Sequence, residues 1–595
     1  MDGDLFLSGG IPQPRGREGA RMGSRSQWAV DKTEAVSPDG MVCAMQPDAA
    51  EAGAEILRRG GNAVDAAVTT AFAVGVVEPF MSGIGGVAWM TYRDAASGRS
   101  TCLDASSTLP RAIKPDTFEL LEPDQRSGLY GWRATKDDAA NTGWLSPVAP
   151  GVPALLGEAH ERFGRLPWRD LVAPAIALAE GGFEVNHYVA SMLSASFDRL
   201  SRFPESRHTF IKPNGAPFAP AFGRGPGDRL VQRDLAHTLR LIAEEGWTVV
   251  YCGEIADRLA AEMKQNGGLL DAEELASYRV RVLEPTAAEY RGYQLLGPLE
   301  NTGYATLIEA LNILEGFDVG RLGRQSLDAI HLKVESIRRA FLDRLTYLGD
   351  SASMPVPYGG VISRDFAATR RATIDPARAT PNEGAGDPWP YDPSSAPVGQ
   401  RERMGSGGEG QTTHITVIDR EHNMVSLTAT LGDAFGSAIV IKDTGIVLNN
   451  GTMWFDPEPG SVTSIAPGKR LMTAASPTLI LRESQPFAAI GSPGGRQVIS
   501  ALFQCIANLI DFGDGMQAAI SAPRIHSEGR ETSVSNRFPS DIIDGLRDLG
   551  HQVAVRDDVI GTSWFGRPNG VLVDQKTGVL YGGAFQLTPA TAVGV

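Results

Sequence analysis

From Pro47 the chain reads PDAAEAGAEILRRGGNAVDAAVTTAFAVGVV, with apolar residues at helical spacing, a stop at Gly60-Gly61 and a restart behind Asn62. That pattern predicts a helix pair, with Asn62 as the N-cap of its second member. The stretch from Pro153 to about Leu345 predicts more helices: ALLGEAHERFG, DLVAPAIALAEGG, LAHTLRLIAEEG, IADRLAAEMKQNGG and SLDAIHLKVESIRRAFLDRL are each amphipathic, with Gly or polar exits. The period then changes from 3.6 to 2. His414 to Asp419 (HITVID), a REHN turn and Met424 to Thr430 (MVSLTAT) alternate as a hairpin. Strands at Thr478 to Leu481 and Phe487 to Ile490, a helix around Gln497 to Leu509 and a last hairpin in GVLVDQKTGVLYGG complete the pattern. No internal repeat is visible, and the fold class is α+β, helix-rich in its first part, with helices and strands that a layered sandwich can stack.

Composition changes this picture at two places. Residues 1–39 are rich in Gly, Pro, Arg and Ser without periodicity, so they read as a flexible arm, with the folded body beginning near Gly40. Residues 372–411 are full of Pro, Gly, Ser and charge and read as a mobile linker in front of the first hairpin. The 55 Lys and Arg against 70 Asp and Glu leave a net charge of −15, which repels polyanions, so no nucleic-acid partner is expected. The first thirty residues hold no apolar run of signal-peptide length, and the most apolar stretch, Ala66 to Val77, is far short of the ~20 residues of a spanning helix. No membrane partner and a cytoplasmic location are therefore expected. Cys43, Cys102, Cys252 and Cys505 lie far apart without CxxC spacing, which suits reduced thiols.

Several motifs carry no chemistry in their context. Gly405, Gly407 and Gly410 match G-x-G-x-x-G, but a strand rather than a helix follows them. Asp511-Phe512-Gly513 lacks the upstream partners of a kinase. The nine histidines show no HExxH or H-x3-H spacing, so no metal and no cofactor are expected, and His526 reads as a packing or hydrogen-bonding residue. Gly410-Gln411-Thr412-Thr413-His414 is more informative. A Thr hydroxyl needs a base beside it, and a Thr that becomes a chain N-terminus can use its own α-amine, of pKa about 7.7–8.0. Taken alone, Thr-Thr opening a strand is equally ordinary β propensity. Gly491-Ser492-Pro493-Gly494-Gly495, between a strand and a helix, leaves backbone N–H groups at a helix N-terminus that could hold an oxyanion, or it is simply a tight turn.

These segments together resemble the γ-glutamyltransferase family of N-terminal-nucleophile (Ntn) hydrolases. The matching stretches are GGNAVDAAV (60–68), GGVAWMTYRD (85–94), LNILEGFDV (311–319), GQTTHITVID (410–419), TATLGDAFGSAIV (428–440), GIVLNNG (445–451), PGKR (467–470), SPT (476–478), GSPGG (491–495) and APRIH (522–526), in the family's order. The resemblance implies a four-layer αββα sandwich, made as a precursor that cuts itself between Gln411 and Thr412. It implies a large-subunit region, 40–411, and a small-subunit region, 412–595, that stay associated as one unit. The implied catalytic set is Thr412 as nucleophile, Thr430 supporting it, and the Gly494 and Gly495 N–H groups as oxyanion donors. The substrate would be a small amide, cleaved through an acyl-Thr intermediate with transfer to water or an amine; homo-oligomerisation stays open.

The departures from the family concern the acyl donor. Where members that use γ-glutamyl donors place an Arg two residues after Leu-Asp, this chain has Ser106 behind Leu103-Asp104. The places of the amine-reading Asn, Gln and Asp hold Gly432, Gly451 and Trp454, and the paired serines are Thr473 and Ala474. A charged amino-acid head group would lose several charge-assisted hydrogen bonds. The expected acyl group is therefore smaller or more apolar, glutaryl-like or oxamate-like. The alternatives are a true γ-glutamyl enzyme that grips its donor by another residue, such as Arg111, and an uncleaved binding protein.

Overall fold

The hairpin predicted from the alternation after residue 413 lies at the centre of one sheet. The structure, a computed structural model, describes residues 30–393 and 410–595. Chain contacts separate residues 1–31 from a single unit of residues 32–595, and the architecture below is that of the second unit. Its first sheet has seven antiparallel strands in the order Thr591–Gly594, Gly40–Ala44, Gln411–Asp419, Met424–Gly432, Val87–Arg93, Ser100–Ala105 and Arg281–Leu283. The second runs Ala35–Ser37, Leu580–Ala584, Asn569–Val573, Gln485–Gly491, Thr478–Arg482, Tyr293–Gly297 and Thr286–Tyr290, also antiparallel.

Period-two alternation sorts these strands into layers. Met41, Cys43, Ile418 and Met424 of the first sheet pack on Leu479, Leu481, Ala489 and Val571 of the second, while Val42, Ile415, Val417, Val425 and Leu427 face helices. Pro47–Arg58 and Ala63–Val77 cover the first sheet; Gln497–Asp511, Met516–Ser521 and Tyr304–Glu315 cover the second, giving four layers αββα. Ala63–Val77 is buried nearly all round, as its uniform hydrophobicity requires. Asn62 does cap it: its side chain accepts from the Val64 and Asp65 N–H groups, and Asp65 accepts from the Asn62 N–H at 3.0 Å. Asp419, at the end of the central strand, accepts from the Ala63 N–H at 2.9 Å and ties this helix start to the hairpin. Among the described residues no helix is long and apolar enough to cross a membrane.

Three expectations change. The body begins at Lys32 rather than Gly40, because Lys32 Nζ donates to the Phe585 and Thr588 carbonyls at 2.9 Å and Ala35–Ser37 pairs with the strand that starts at Leu580. Residues 1–29 of the expected arm lie outside the described residues, as do 394–409 of the expected linker. Over 373–393 that linker is held on the helix Leu327–Tyr347: the Thr380 N–H donates to Glu335 at 3.2 Å, Tyr347 donates to the Gly386 carbonyl at 2.6 Å, and Trp389 is buried. Hydrogen bonds to backbone groups anchor this segment, which aliphatic content could not reveal. Finally, Arg281–Leu283, Thr286–Tyr290 and Tyr293–Gly297 are strands inside the stretch read as helical.

Glu335 on the helix Leu327–Tyr347 is fully buried between Arg338 Nη1 at 2.6 Å and Arg339 Nη1 at 2.5 Å. Burial alone would raise its pKa, but Arg338, with hydrogen bonds from Thr380 and Arg339, outweighs that and holds it at about 2. His331, Glu335 and His551 bring ligand-type atoms within 4.8 Å of one another. These atoms are engaged: His331 Nδ1 bonds His551 Nε2 at 2.8 Å, Arg338 bonds His551 Nδ1 at 3.0 Å, and two guanidiniums already balance the carboxylate. Replacing Glu335 by Gln leaves two buried guanidiniums facing a neutral group, and thermal unfolding is expected to report a loss of about 3–5 kcal/mol. An unchanged melting temperature would show that the network carries no stability.

Candidate active site

The register of the central hairpin creates the site. Gln411 pairs with Gly432 and Thr413 with Ala429, so a bulge leaves Thr412 without a partner in the ladder. Thr413 then faces the helix layer, where its hydroxyl donates to Glu78 at 2.8 Å. Thr412 points instead between the sheets, and its Oγ1 donates to Thr430 Oγ1 at 3.3 Å. Thr430 in turn donates to the Gln411 carbonyl at 2.6 Å and accepts from the Gly432 N–H at 2.8 Å. One hydroxyl therefore touches the Thr412 hydroxyl and the carbonyl of the peptide bond in front of it.

The Gly-rich turn closes the other side. Gly494 has φ 134° and Gly495 φ 54°. A Cβ on Gly494 would lie 2.7 Å from the Gly566 Cα, and one on Gly495 2.9 Å from the Gly410 Cα, so both positions need glycine for conformation and for space. Neither N–H has a protein acceptor among the described residues. The helix Gln497–Asp511 starts directly behind them, with Gln497 N–H on the Gly494 carbonyl at 3.1 Å. Two open donors at a helix N-terminus suit a developing negative charge.

Between these elements lies a cavity of about 20 Å³. Of the residues singled out from sequence, Thr412, Thr430, Gly432, Trp454, Thr473 and Gly495 line it. Gly410 lines it too, so the segment ahead of Thr412 fills part of the space. Gln411 turns its side chain away, where buried Arg567 donates to its Oε1 at 3.1 Å. Ser106, Gly451 and Gly494 are not in the lining, Gly494 standing one residue behind Gly495. Ser106 accepts from Arg470 Nη1 at 3.1 Å in a separate surface cleft of about 330 Å³. Arg111, the proposed substitute grip, lines that cleft, is exposed, and pairs with Glu273 at 3.1 Å. Gly451 packs on Val148, whose Cγ2 would lie 2.4 Å from an added Cβ.

Ala474, singled out from sequence, also lines the cavity, and sequence reading missed Trp89, Thr428, Leu129, Tyr130, Ala475 and Val498 of the wall. Period two carries part of that signal, since Thr428 shares the face of Thr430, and Trp89 pairs with Thr428 in the neighbouring strand. The lining contains no charged side chain. His414, buried behind it, is held neutral by burial, with its pKa pushed down to about 3, and its Nδ1 is 2.9 Å from the Thr428 hydroxyl.

Glu78 is the titratable group nearest this strand entrance. Burial raises its pKa to about 8, against the Thr413 hydrogen bond and the Arg567 charge. In the unfolded chain a Glu titrates near ~4.3, so between that pH and about 8 the folded state binds the extra proton, and stability falls as pH rises. Glu78→Gln should therefore gain melting temperature relative to the unmodified protein as pH is raised from about 5 to 8, with no gap below ~4. A gap that stays constant across this range would refute the buried neutral carboxyl.

With this geometry described, comparison with known proteins is direct. The family model for gamma-glutamyltranspeptidase matches residues 49–592. A glutathione hydrolase proenzyme of Bacillus subtilis (strain 168) is 33% identical over 94% of this chain and 92% of its own length. The acylase ACY 1 proenzyme of Pseudomonas sp. (strain SE83) is 37% identical over 90% of this chain and 91% of its own. The crystal structure of cephalosporin acylase from Bacillus halodurans superimposes with a TM-score of 0.82 at 29% identity, covering 97% of this chain and 99% of that one. The order of motifs and the αββα layers thus have one explanation: the chain belongs to the gamma-glutamyltranspeptidase family and is an enzyme of its hydrolase and acyltransferase kind.

Proposed function

We propose that this protein is a self-processing amidohydrolase whose nucleophile is Thr412 and whose acyl substrate lacks the α-amino-acid head group. The observation that carries the substrate reading is the cavity lining, which offers hydroxyls, backbone N–H groups and aromatic rings but no charged side chain. A donor with both an α-amine and an α-carboxylate would be desolvated there without compensation. The acylase relatives support the same direction.

Self-cleavage begins with Thr412 Oγ attacking the Gln411 carbonyl carbon. The Thr430 hydroxyl, already on that carbonyl oxygen, stabilises the negative charge that develops. The amide C–N bond breaks as the nitrogen takes the proton, and water opens the resulting ester to give a Gln411 carboxylate and a free Thr412 amine. That amine, of pKa about 7.7–8.0, serves as base in turnover. Departure of Gly410 from the wall enlarges the cavity for the acyl group. The hydroxyl then attacks the substrate amide, the Gly494 and Gly495 N–H groups receive the oxyanion, the amine leaves protonated, and water releases the acid. The two pieces remain together because the strands Gln411–Asp419 and Met424–Gly432 lie between Gly40–Ala44 and Val87–Arg93 of the other piece.

A second reading, a γ-glutamyl enzyme with a relocated clamp, has Arg470 beside Ser106 in its favour. Purified protein should run as two fragments, 1–411 and 412–595, whereas Thr412→Ala stays whole; N-terminal sequencing that starts anywhere but Thr412 would sink the assignment. Substrate competition decides between the two donors. Glutaryl-p-nitroanilide is expected to exceed γ-glutamyl-p-nitroanilide in kcat/KM, and a roughly tenfold preference for the γ-glutamyl compound, about 1.4 kcal/mol, would install the second reading instead.

A further inference from the structure

We propose that the Trp89 indole N–H reads the far end of the acyl group, selecting a short acyl chain that ends in a hydrogen-bond-accepting oxygen. The inference rests on the amidohydrolase reading above and deepens it. Trp89 is 0% exposed, and its Nε1 is buried with no protein acceptor among the described residues. Buried donors are nearly always paired, so an orphan N–H in the wall of a substrate cavity asks for a function. The nearest hydroxyl across the strands, on Thr428, is held by His414 at 2.9 Å.

The placement suits an acyl reader. Trp89 lies opposite Thr428, and Thr430, which contacts the Thr412 hydroxyl, is two residues further along the same strand. Alternation puts Trp89 on the inter-sheet face with these threonines, since Ala88 and Met90 pack toward the helices. Trp89 and Thr430 are diagonal neighbours in the ladder, with backbone positions about 7–8 Å apart, so a reader at Trp89 stands away from the reacting hydroxyl and suits the far end of an acyl chain longer than acetyl. The ring is fixed by its apolar neighbours in the cluster that also holds Tyr130, Trp132 and Trp454. An acceptor oxygen that reaches Nε1 satisfies it, and an alkyl end leaves it buried and unpaired. Both a carboxylate and a neutral amide carbonyl supply that oxygen.

Three p-nitroanilides separate the possibilities: glutaryl, its neutral terminal amide, and pentanoyl, which has no terminal oxygen. The unmodified enzyme is expected to favour at least one oxygen-bearing donor over pentanoyl by about tenfold or more in kcat/KM. Whichever oxygen-bearing donor is better tells whether the terminal group is charged. In Trp89→Phe, which keeps an aromatic ring and deletes the donor, that preference should collapse to about twofold or less, an effect on selectivity that a general structural defect would not produce. Should Trp89→Phe fail to fold or to cut itself, β-(3-benzothienyl)alanine at position 89 replaces only the N–H by sulfur and gives the same reading. Pentanoyl cleaved as well as the oxygen-bearing donors by the unmodified enzyme, or a preference that survives loss of the N–H, would overturn the inference. Those results differ from failure of the underlying reading, which shows as preference for γ-glutamyl-p-nitroanilide or as no amide cleavage at all.

Discussion

Everything at this site depends on one irregularity in a ladder. Alternation turns Thr412 toward the inter-sheet face with His414 and Thr416, and where the pairing slips between Gln411 and Thr413 the carbonyl of the peptide bond before it accepts from the Thr430 hydroxyl. In unbroken register Gln411 would pair with Leu431 instead of Gly432. The bulge is held from both ends. Thr413 is anchored to Glu78 and Gln411 to Arg567 on the helix side, and His414 fills the interior beneath. The slip is thus set against a well-held centre, since the same strand continues into both cores.

Local chemistry was legible in the sequence, and close approach was not. Asn62 as a helix cap, the REHN turn and the alternation through 424–430 are patterns of neighbours, and they stand in the structure as read. The glycines of GSPGG could be recognised as a turn, but their need for space against Gly566 and Gly410 is a contact between distant segments. Ser106 and Gly451 show the same limit. Their positions in the motifs implied the pocket, whereas the fold turns Ser106 to Arg470 and packs Gly451 on Val148. The strands between Arg281 and Gly297 escaped because they are short and carry exposed charged residues such as Glu289. The anchoring of 373–393 escaped because it runs through backbone carbonyls and N–H groups, which every residue possesses.

Two of the buried carboxyls, Glu335 and Glu78, differ in their physics. Glu335 is ionised because two guanidiniums and a hydroxyl surround it, so its burial is compensated where it stands. Glu78 has Arg567 as a more distant charge and a Thr hydroxyl as a direct partner, so the proton stays on through neutral pH. The difference matters at the strand entrance: a neutral Glu78 leaves the Arg567 charge facing Gln411, whose Oε1 it bonds at 3.1 Å. The substrate cavity, by contrast, is kept free of charge altogether.

That absence of charge is built into the backbone and does not follow from side-chain choice alone. Gly432 has φ 104°, and a Cβ there would sit 2.2 Å from Asn450 Oδ1. Asn450 is itself committed, accepting from the Asp433 N–H at 3.0 Å and donating to the Asn141 carbonyl at 2.9 Å. An amine-reading side chain cannot simply be put back at 432, because the asparagine that fills its space also holds the end of the strand carrying Thr430. At 451 the obstacle is Val148, which belongs to the apolar cluster around Trp89. The uncharged wall therefore rests on packing that several segments share. Changing it requires Asn450, Val148 and their neighbours to move together, and Thr430, which accepts from the Gly432 N–H at 2.8 Å, is tied to the same packing.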